Sequence, residues 1–162
     1  MNENRSNAIL GTVLGVGLAI ASFIGYQQWK YITPASDWIE INILHIEDAQ
    51  PGEDPRITYD RQFKMDVAGV WAVNVFKYQD KADSVGVLYC SGSGTSSYKE
   101  ARPLPPTATK LSWLMGRENN PCVLEKGIYK AIITIIISPI GYPTKVVEKE
   151  SNFFLVPPQE EK

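Results

Sequence analysis

Residues 127–138 read GIYKAIITIIIS, and this stretch decides the fold class of the chain. It is rich in β-branched residues, which pack well on a pleated sheet. One face of the predicted strand carries Tyr129, Ala131 and three isoleucines, and the other carries Ile132, Thr134 and Ile136. A strand that is largely apolar on both faces is predicted either to be central and covered twice or to contact a partner.

Strand-like runs on both sides of this stretch predict an all-β domain over residues 38–156. The runs are alternating or rich in β-branched residues, are separated by Pro, Gly and Asp turns, and lie at 38–46, 57–65, 70–78, 85–90, 110–115 and 145–156. About seven short strands with this spacing predict an antiparallel β-sandwich, with a barrel as the main alternative.

Three other segments are predicted to lack regular structure. Ser91–Ser97 (SGSGTSS) has the composition of a flexible loop and lacks the lysine of a phosphate-binding loop. Residues 102–107 (RPLPPT) favour extended, irregular chain because of their prolines. The tail at 157–162 is predicted to be disordered.

An uncharged run, AILGTVLGVGLAIASFIGY, occupies residues 8–26 behind a short polar tail at 1–7. At about 1.5 Å per residue it extends about 28 Å as a helix, close to the hydrocarbon thickness of a bilayer. Trp29 and Lys30 behind it suit the headgroup layer. We therefore predict a transmembrane helix at 8–26 and a juxtamembrane linker at 27–37, which makes the lipid bilayer the first partner. A leader cleaved after Ala21 and a buried helix of a soluble protein are the alternatives.

Small residues recur at four-residue spacing in this run and form two stripes: Gly11, Gly15 and Ala19, and Gly17, Ala21 and Gly25. Such patterns let two helices approach closely in lipid. The stripes predict self-association or docking on another membrane protein, although glycine is also common in membrane helices generally.

The two cysteines, Cys90 and Cys122, both lie in the predicted β domain. In a membrane-tethered domain they predict an oxidising compartment and one disulfide, with two unpaired cytosolic thiols as the alternative. The charges flanking the span are nearly balanced, with Arg5 before it and Lys30 after it. The cysteines therefore set the predicted orientation, with the N-terminus cytoplasmic and the β domain periplasmic or extracellular.

The charge pattern gives no sign of a nucleic-acid partner. The chain has 16 basic and 18 acidic residues, a net charge of −2. These charges are interspersed, whereas a protein that binds nucleic acid needs a basic stripe or patch.

No catalytic or cofactor site is indicated by the sequence. His45 is the only histidine, and nothing near it marks a nucleophile turn. Its parity with Ile41 and Ile43 on the predicted strand favours a sheet-edge or partly buried histidine. One histidine and two distant cysteines do not make a zinc site.

Four acidic residues fall in one predicted loop: Glu47, Asp48, Glu53 and Asp54. Interstrand loops of extracellular sandwiches can coordinate Ca²⁺, but this loop lacks the regular spacing of Asp ligands, so a solvated loop is the simpler interpretation. Four aromatic residues are candidates either for a contact surface or for the core: Tyr89, Tyr98, Trp113 and Tyr142.

The segment Leu124-Glu125-Lys126-Gly127-Ile128-Tyr129 resembles the Leu-x-x-Gly-x-Tyr entry to the penultimate strand of immunoglobulin-like domains. The resemblance implies that Tyr129 forms the tyrosine corner of that family, in which the hydroxyl bonds back to nearby backbone. It also implies that Trp71 is the core tryptophan, on one face with Val73 and Val75. Cys122 precedes the tyrosine instead of following it, so the two cysteines are not the usual inter-sheet pair of that family.

The whole arrangement, one anchor and one such domain, is similar to small membrane-anchored proteins of bacteria and their phages. That layout implies an adhesive, scaffolding or virion-accessory role. We therefore expect a non-enzymatic interaction or structural protein of a cell envelope or a membrane-associated phage assembly. The alternative is a glycan-binding module or hydrolase exposed outside the membrane.

Overall fold

The computed structural model of the chain describes residues 3–81, 85–100 and 107–158, with side chains from residue 14 onward except at residue 107. The chain divides into two compact units after Pro34. The first unit contains one helix, α1 (Glu3–Ile32), of 30 residues. It extends beyond both ends of the predicted span and takes up half of the predicted linker. Among the described residues, no helix is both long enough and apolar enough to cross a membrane.

Helix α1 continues past residue 26 because nothing interrupts it before Pro34. The Thr33 amide and hydroxyl both donate to the Trp29 carbonyl, at 3.0 and 2.7 Å, and so close the last turn. A residue that precedes proline is disfavoured in the helical region, so the helix cannot run on through Thr33.

The second unit, from Ala35 onward, consists mainly of two antiparallel sheets, which confirms the all-β prediction. The first sheet has the order β1-β2-β5, from strands β1 (Ile39–Ile46), β2 (Arg56–Phe63) and β5 (Thr107–Lys110). The second has the order β4-β3-β6-β7, with β8 also on β6, from strands β3 (Val67–Tyr78), β4 (Val87–Tyr98), β6 (Gly127–Ser138), β7 (Lys145–Glu150) and β8 (Phe154–Val156). A 3-10 turn (Ala35–Asp37) and a one-turn helix, α2 (Leu111–Leu114), complete the unit.

Strand β6 lies in the middle of the second sheet, between β3 and the pair β7 and β8. Its odd-numbered side chains are at most 1 % exposed and form the centre of the core: Tyr129, Ala131, Ile133, Ile135 and Ile137. On the other face Ile136 is 38 % exposed and Ile132 is half-buried. Within the described part of the chain, β6 is therefore central in its sheet but covered by the core on one face only.

The predicted loop Ser91–Ser97 is wrong, because these residues belong to strand β4. They pair with β3 from Ser91 opposite Asn74 to Ser97 opposite Ala68. The glycines face the core, where a Cβ atom on Gly94 would lie only 2.8 Å from Cζ2 of Trp71. The small residues therefore make room for a tryptophan ring. In the sequence, the same glycines and serines have the composition of a loop.

The predicted strand at 110–115 is also wrong, because β5 ends at Lys110 and α2 follows it. Leu111, Leu114 and Met115 are all buried. Their spacing of three and four residues places them on one side of a helical turn, and this contact with the core outweighs the weak strand signal of the segment.

A register shift between Ile41 and Ile43 on β1 changes the predicted parity of that strand. Beyond the shift, Leu44 is buried whereas Ile43 is 37 % exposed. His45 lies exposed on this edge strand. An extra residue in one strand reverses the face on which each later side chain of that strand lies. The alternation of apolar residues in the sequence did not reveal this extra residue.

The predicted last strand, 145–156, is divided into β7 and β8 at Ser151. Its amide donates to the Ala131 carbonyl at 2.8 Å, and its hydroxyl accepts from the Ala131 amide at 2.9 Å. The side chain thus replaces a backbone carbonyl in the ladder, and both strands stay on β6. Residues 82–84 of the turn predicted at 80–84, the segment 101–106 and the last four residues lie outside the described part of the chain.

Candidate functional site

Cys90 and Cys122 are joined by a disulfide, with their Cα atoms 6.3 Å apart and 32 residues between them in sequence. Cys90 lies on the edge strand β4, and Cys122 lies in the segment between α2 and β6. The bond therefore fixes the segment that leads into the central strand.

Tyr129 lies at the start of β6 with its ring fully buried. Its hydroxyl donates to the Glu125 carbonyl at 2.8 Å, four residues upstream. The ring stacks on Phe154 and meets Tyr89 edge-on, with centroid distances of 5.7 and 5.3 Å. Burial, reinforced by the neighbouring Tyr89, raises the pKa of Tyr129 well above its ordinary value, so the hydroxyl stays protonated and continues to donate.

Tyr129→Phe is expected to lower the free energy of unfolding by about 1 to 2 kcal/mol, because it removes a part-buried hydrogen bond that the buried Tyr129 ring directs at the Glu125 carbonyl. Urea unfolding followed by tryptophan fluorescence measures the change. Tyr89→Phe is the matched control, since its hydroxyl donates to the Val123 carbonyl at 3.0 Å in an exposed position, and we expect less than about 1 kcal/mol there. Equal losses in the two variants would contradict the special role of the Tyr129 bond.

Three of the four acidic residues considered for calcium accept hydrogen bonds from other groups of the domain. Asp54 accepts from the amide and hydroxyl of Ser112 at 3.0 and 2.5 Å, and Asp48 accepts from the Leu155 amide at 2.7 Å. Glu53 accepts from the amide of Gln50 at 3.1 Å. In the part of the chain that the structure describes, no three His, Cys, Asp or Glu residues converge to hold a metal ion.

The small-residue stripes lie on α1, and their members from Gly15 onward are exposed; Gly11 lies in the part of the helix whose side chains are not described. A Cβ atom on Gly15, Gly17 or Gly25 would meet no atom within 4 Å. The predicted packing role of the stripes remains a prediction.

Two of the four predicted contact aromatics, Tyr98 and Trp113, come together with Trp71 at one cleft. The cleft has a volume of about 130 Å³, and we call it the aromatic cleft; its walls are Arg61, Trp71, Ser96, Tyr98, Trp113, Leu114 and Ile133. The other two candidates are used elsewhere, Tyr89 against Tyr129 and Tyr142 edge-on against Trp38 at 4.9 Å.

Strands from both sheets and helix α2 build the aromatic cleft. Arg61 comes from β2, Trp71 from β3, Tyr98 from the end of β4 and Trp113 from α2. The Trp71 ring lies close to two glycines, since Cβ atoms on Gly94 and Gly116 would come within 2.8 and 2.9 Å of it. Gly116 has a φ of +62°, which favours glycine and lets the chain turn directly after α2.

Arg61 lies half-buried among aromatic rings, at 5.3 Å from the ring centroids of Tyr59, Phe63 and Tyr98. The rings of Phe63 and Tyr98 stack at 4.1 Å. Across the described ranges, the guanidinium forms no ion pair. A guanidinium that lies against aromatic faces keeps its in-plane N–H groups available for a ligand.

Two buried tyrosine hydroxyls accompany this arginine. The Tyr59 and Tyr98 side chains are 7 and 6 % exposed, and neither hydroxyl has a hydrogen-bond partner among the described residues. Burial raises the pKa of both tyrosines, and the positive charge of Arg61 lowers it in part. Both groups therefore remain protonated and able to donate.

Arg61 was not singled out from the sequence, although a signal for it exists. In the run RITYDRQF, Arg61 has the same parity as Ile57, Tyr59 and Phe63, the inward-facing positions of β2. A charged residue at an inward position of an alternating strand marks either a buried partner or a cleft.

No family model matches the chain, and no curated protein matches it. Among solved structures, the chain is similar to Spo0M, a sporulation control protein from Bacillus subtilis, with 14 % sequence identity and a TM-score of 0.36. The match covers 75 % of this chain and 50 % of that one, so the chain spans about half the length of that protein.

Proposed function

We propose that the chain is a non-enzymatic interaction protein whose helix α1 anchors an immunoglobulin-like β domain in a membrane. The domain binds a protein partner through the aromatic cleft. The observation that carries this proposal is the meeting of Trp71, Tyr98, Trp113 and Arg61 in one cleft, where Arg61 has no ion-pair partner among the described residues. Tryptophan, tyrosine and arginine are the residues that most often dominate binding energy at protein interfaces.

The size of the cleft favours a protein partner. Pockets that take drug-sized ligands have volumes of about 300 to 1,000 Å³, whereas the aromatic cleft has about 130 Å³. It therefore suits a single inserted side chain of a larger surface. Trp113 is 48 % exposed at the cleft and can extend the contact beyond it.

The order of the strands supports an immunoglobulin-like arrangement. The order β4-β3-β6-β7 corresponds to the C′-C-F-G sheet of that fold, and β1-β2-β5 corresponds to A-B-E. Trp71 then lies on the strand that corresponds to C. The hydrogen bond from Tyr129 to the Glu125 backbone has the form of a tyrosine corner at the start of F.

The anchor and its orientation rest on the sequence and the disulfide. Residues 8–26 carry no charge and lie within one uninterrupted helix. The Cys90–Cys122 bond suits an oxidising compartment, so the domain lies on the periplasmic or extracellular side. Either a cell envelope or a membrane-associated phage assembly meets these conditions.

Site-specific photocross-linking in the native membrane tests this function. A photoreactive phenylalanine analogue at Trp113 of the full chain is expected to give one discrete protein adduct. The control carries the same analogue at Ile140, which is 98 % exposed in the turn between β6 and β7. Identical adducts at both positions, or none at Trp113, would reject the cleft as the binding surface. Release of the chain by alkaline carbonate washing would reject the anchor.

A glycan-binding module is the second candidate, because two tryptophan rings line the aromatic cleft. The ring of Trp113 is exposed and that of Trp71 is half-buried. A glycan screen with the full chain in detergent separates the two functions. Saturable binding of a glycan that is lost in Trp113→Ala would favour this candidate over a protein partner.

A further inference from the structure

We infer that the partner protein binds as an added strand, which pairs with the outer edge of β4 at residues 93–97 and places one apolar side chain in the aromatic cleft. This inference rests on the proposed function and names the form and the chemistry of the partner's binding segment. It depends on the backbone of β4, on the other edge strands and on two depressions that flank β4.

The ends of the two described sheets are formed by β1, β5, β4 and β7, and of these β4 is the least protected against strand addition. Strand β1 carries a register shift, β5 has only four residues, and β7 (KVVEKE) is short and largely charged. Strand β4 has 12 residues, and none of them is charged or proline. Its pairing with β3 is regular from Cys90 to Tyr98. Because charges, proline, bulges and shortness are the usual protections of an edge, β4 is open to pairing.

The backbone groups of Ser93, Thr95 and Ser97 point away from the sheet. The direction is set at β6, where Ala131 exchanges hydrogen bonds with Ser151 on the side of β7 and β8. Backbone direction alternates along a strand, so the odd residues of β6 face β7 and the even residues face β3. The registers of β6 with β3 and of β3 with β4 then leave the odd residues of β4 facing outward.

The outward row of β4 has free hydrogen-bonding groups. The Ser91 carbonyl accepts from the Arg117 guanidinium at 3.3 Å, which agrees with the outward direction of the odd residues. The next three residues of the row, Ser93, Thr95 and Ser97, are exposed, and no other described group bonds to their outward N–H and C=O groups. Such a row is the template that an added strand needs.

A depression lies on each face of the sheet at β4, and Ser96 borders both of them. The aromatic cleft lies on the core side. On the outer face lies an open groove of about 500 Å³, whose lining includes Val70, Thr95 and Ile136. Successive side chains of a strand point to opposite faces, so an added strand directs its side chains alternately into the cleft and over the groove.

The side chain that enters the cleft is apolar. Neighbouring strands lie about 4.8 Å apart and opposed side chains lie about 5 Å apart, so a residue opposite Ser96 reaches the mouth of the cleft. The walls are largely carbon and include Trp71, Trp113, Leu114 and Ile133. The volume of about 130 Å³ limits the inserted group to one side chain.

A second copy of this chain does not meet these conditions through its own β4. The inward positions in the regular part of that strand before the buried Tyr98 are Gly92, Gly94 and Ser96. None of these has a side chain large enough to fill the cleft. The added strand therefore has a different sequence, and we assign it to the partner protein.

The test uses the full chain in a zwitterionic detergent and the peptide N-acetyl-Lys-Thr-Thr-Leu-Thr-Thr-Lys-amide, the leucine probe. The serine probe replaces its leucine by serine, and the methylated probe carries N-methyl groups on the three central residues. NMR follows the solvent exchange of the Ser93, Thr95 and Ser97 amides and the indole N–H resonances of Trp71 and Trp113. With the leucine probe we expect saturable shifts of both indole resonances and about tenfold slower exchange of the three amides.

The two other probes separate the backbone from the side chain. The serine probe is expected to bind about tenfold more weakly, because it buries no apolar side chain. The methylated probe is expected to lose about tenfold or more, because it cannot donate to β4 from its centre. Indole shifts without slower amide exchange, or equal binding of the methylated probe, would overturn the added strand. Equal binding of the serine probe would overturn the apolar side chain, and no saturable shift with the leucine probe would overturn both.

Thr95→Pro locates the binding. It removes one outward N–H group, and proline is tolerated on an edge strand where that group faces solvent. We expect the leucine probe to bind about tenfold more weakly to this variant. Val146→Pro is the matched control, because Val146 faces outward in the same way on the other edge strand, β7, and its affinity should not change.

Unchanged affinity in folded Thr95→Pro, or an equal loss in Val146→Pro, would overturn the inference. The comparison of the three probes on the unaltered chain needs no variant, so it stands even if Thr95→Pro unfolds.

The inference and the proposed function fail separately. Binding of the leucine probe at β4 without any cross-linked partner at Trp113 supports the strand site and counts against the proposed function. A Trp113 adduct that persists in Thr95→Pro supports a protein partner and overturns the added strand.

Discussion

Replacing both cysteines by alanine is expected to lower the free energy of unfolding by about 3 to 4 kcal/mol. The bond between Cys90 and Cys122 closes a loop of 32 residues, and removing it frees that loop in the unfolded chain. Since small domains have only about 5 to 15 kcal/mol of stability in total, this loss is large. Urea unfolding of the full chain in detergent, followed by fluorescence, measures it.

The unaltered chain treated with a reductant is the control for this change, because it opens the same bond without altering side-chain volume. It is expected to lose a similar amount of stability. The double variant Cys90→Ala, Cys122→Ala should then be insensitive to reductant. A reductant effect below about 1 kcal/mol on the unaltered chain would show that the bond adds little beyond the packing of the buried Cys122 side chain.

Gly92→Val is expected to destabilise the domain by about 3 kcal/mol, at the upper end of the usual effect of overpacking a core. A Cβ atom on Gly92 would overlap the Met115 carbonyl oxygen and would lie 2.8 Å from the carbonyl carbon and Cβ of the same residue. Two of these three atoms are backbone, so they can move only if the turn after α2 moves. The loss is measured by thermal unfolding of the full chain.

Ser93→Val is the matched control for Gly92→Val, because it introduces the same side chain at the next position of β4. Ser93 faces away from the core and is exposed, and valine is favoured in strands, so a change within about 0.5 kcal/mol is expected. A similar loss in both variants would mean that β4 tolerates no valine on either face, and the close approach of Met115 would not be the cause.

Much of the fold was predictable because it depends on local alternation. Strand β6 was predicted from its β-branched residues, and the shared inward face of Val73 and Val75 on β3 was predicted from side-chain alternation. The prediction of a loop at residues 91–97 failed because glycine and serine are typical of loops. In the structure the glycines accommodate the ring of Trp71 and the Met115 backbone. That requirement comes from residues distant in the sequence, so composition could not reveal it.

The aromatic cleft could be predicted only in part. Tyr98 and Trp113 were candidates for a contact surface because of their residue type, but nothing local indicated that they meet. Their meeting depends on β2, β3, β4 and α2 being brought together by the order of the strands, which alternation does not determine. Arg61 could be predicted from the sequence, because a charged residue stands there at an inward position of an alternating strand.

During synthesis, strand β6 is made before two of the strands that pair with it in the sheet. Isoleucine-rich strands of this kind aggregate readily when an edge is bare. One edge of β6 pairs with β3, which is synthesised earlier, but the other pairs with β7 and β8, which are synthesised after β6. β7 is a short outer strand with the sequence KVVEKE, and its Glu150 pairs with Lys130 of β6. The edge of β6 that β7 and β8 cover therefore stays open to self-association until these two strands have been synthesised.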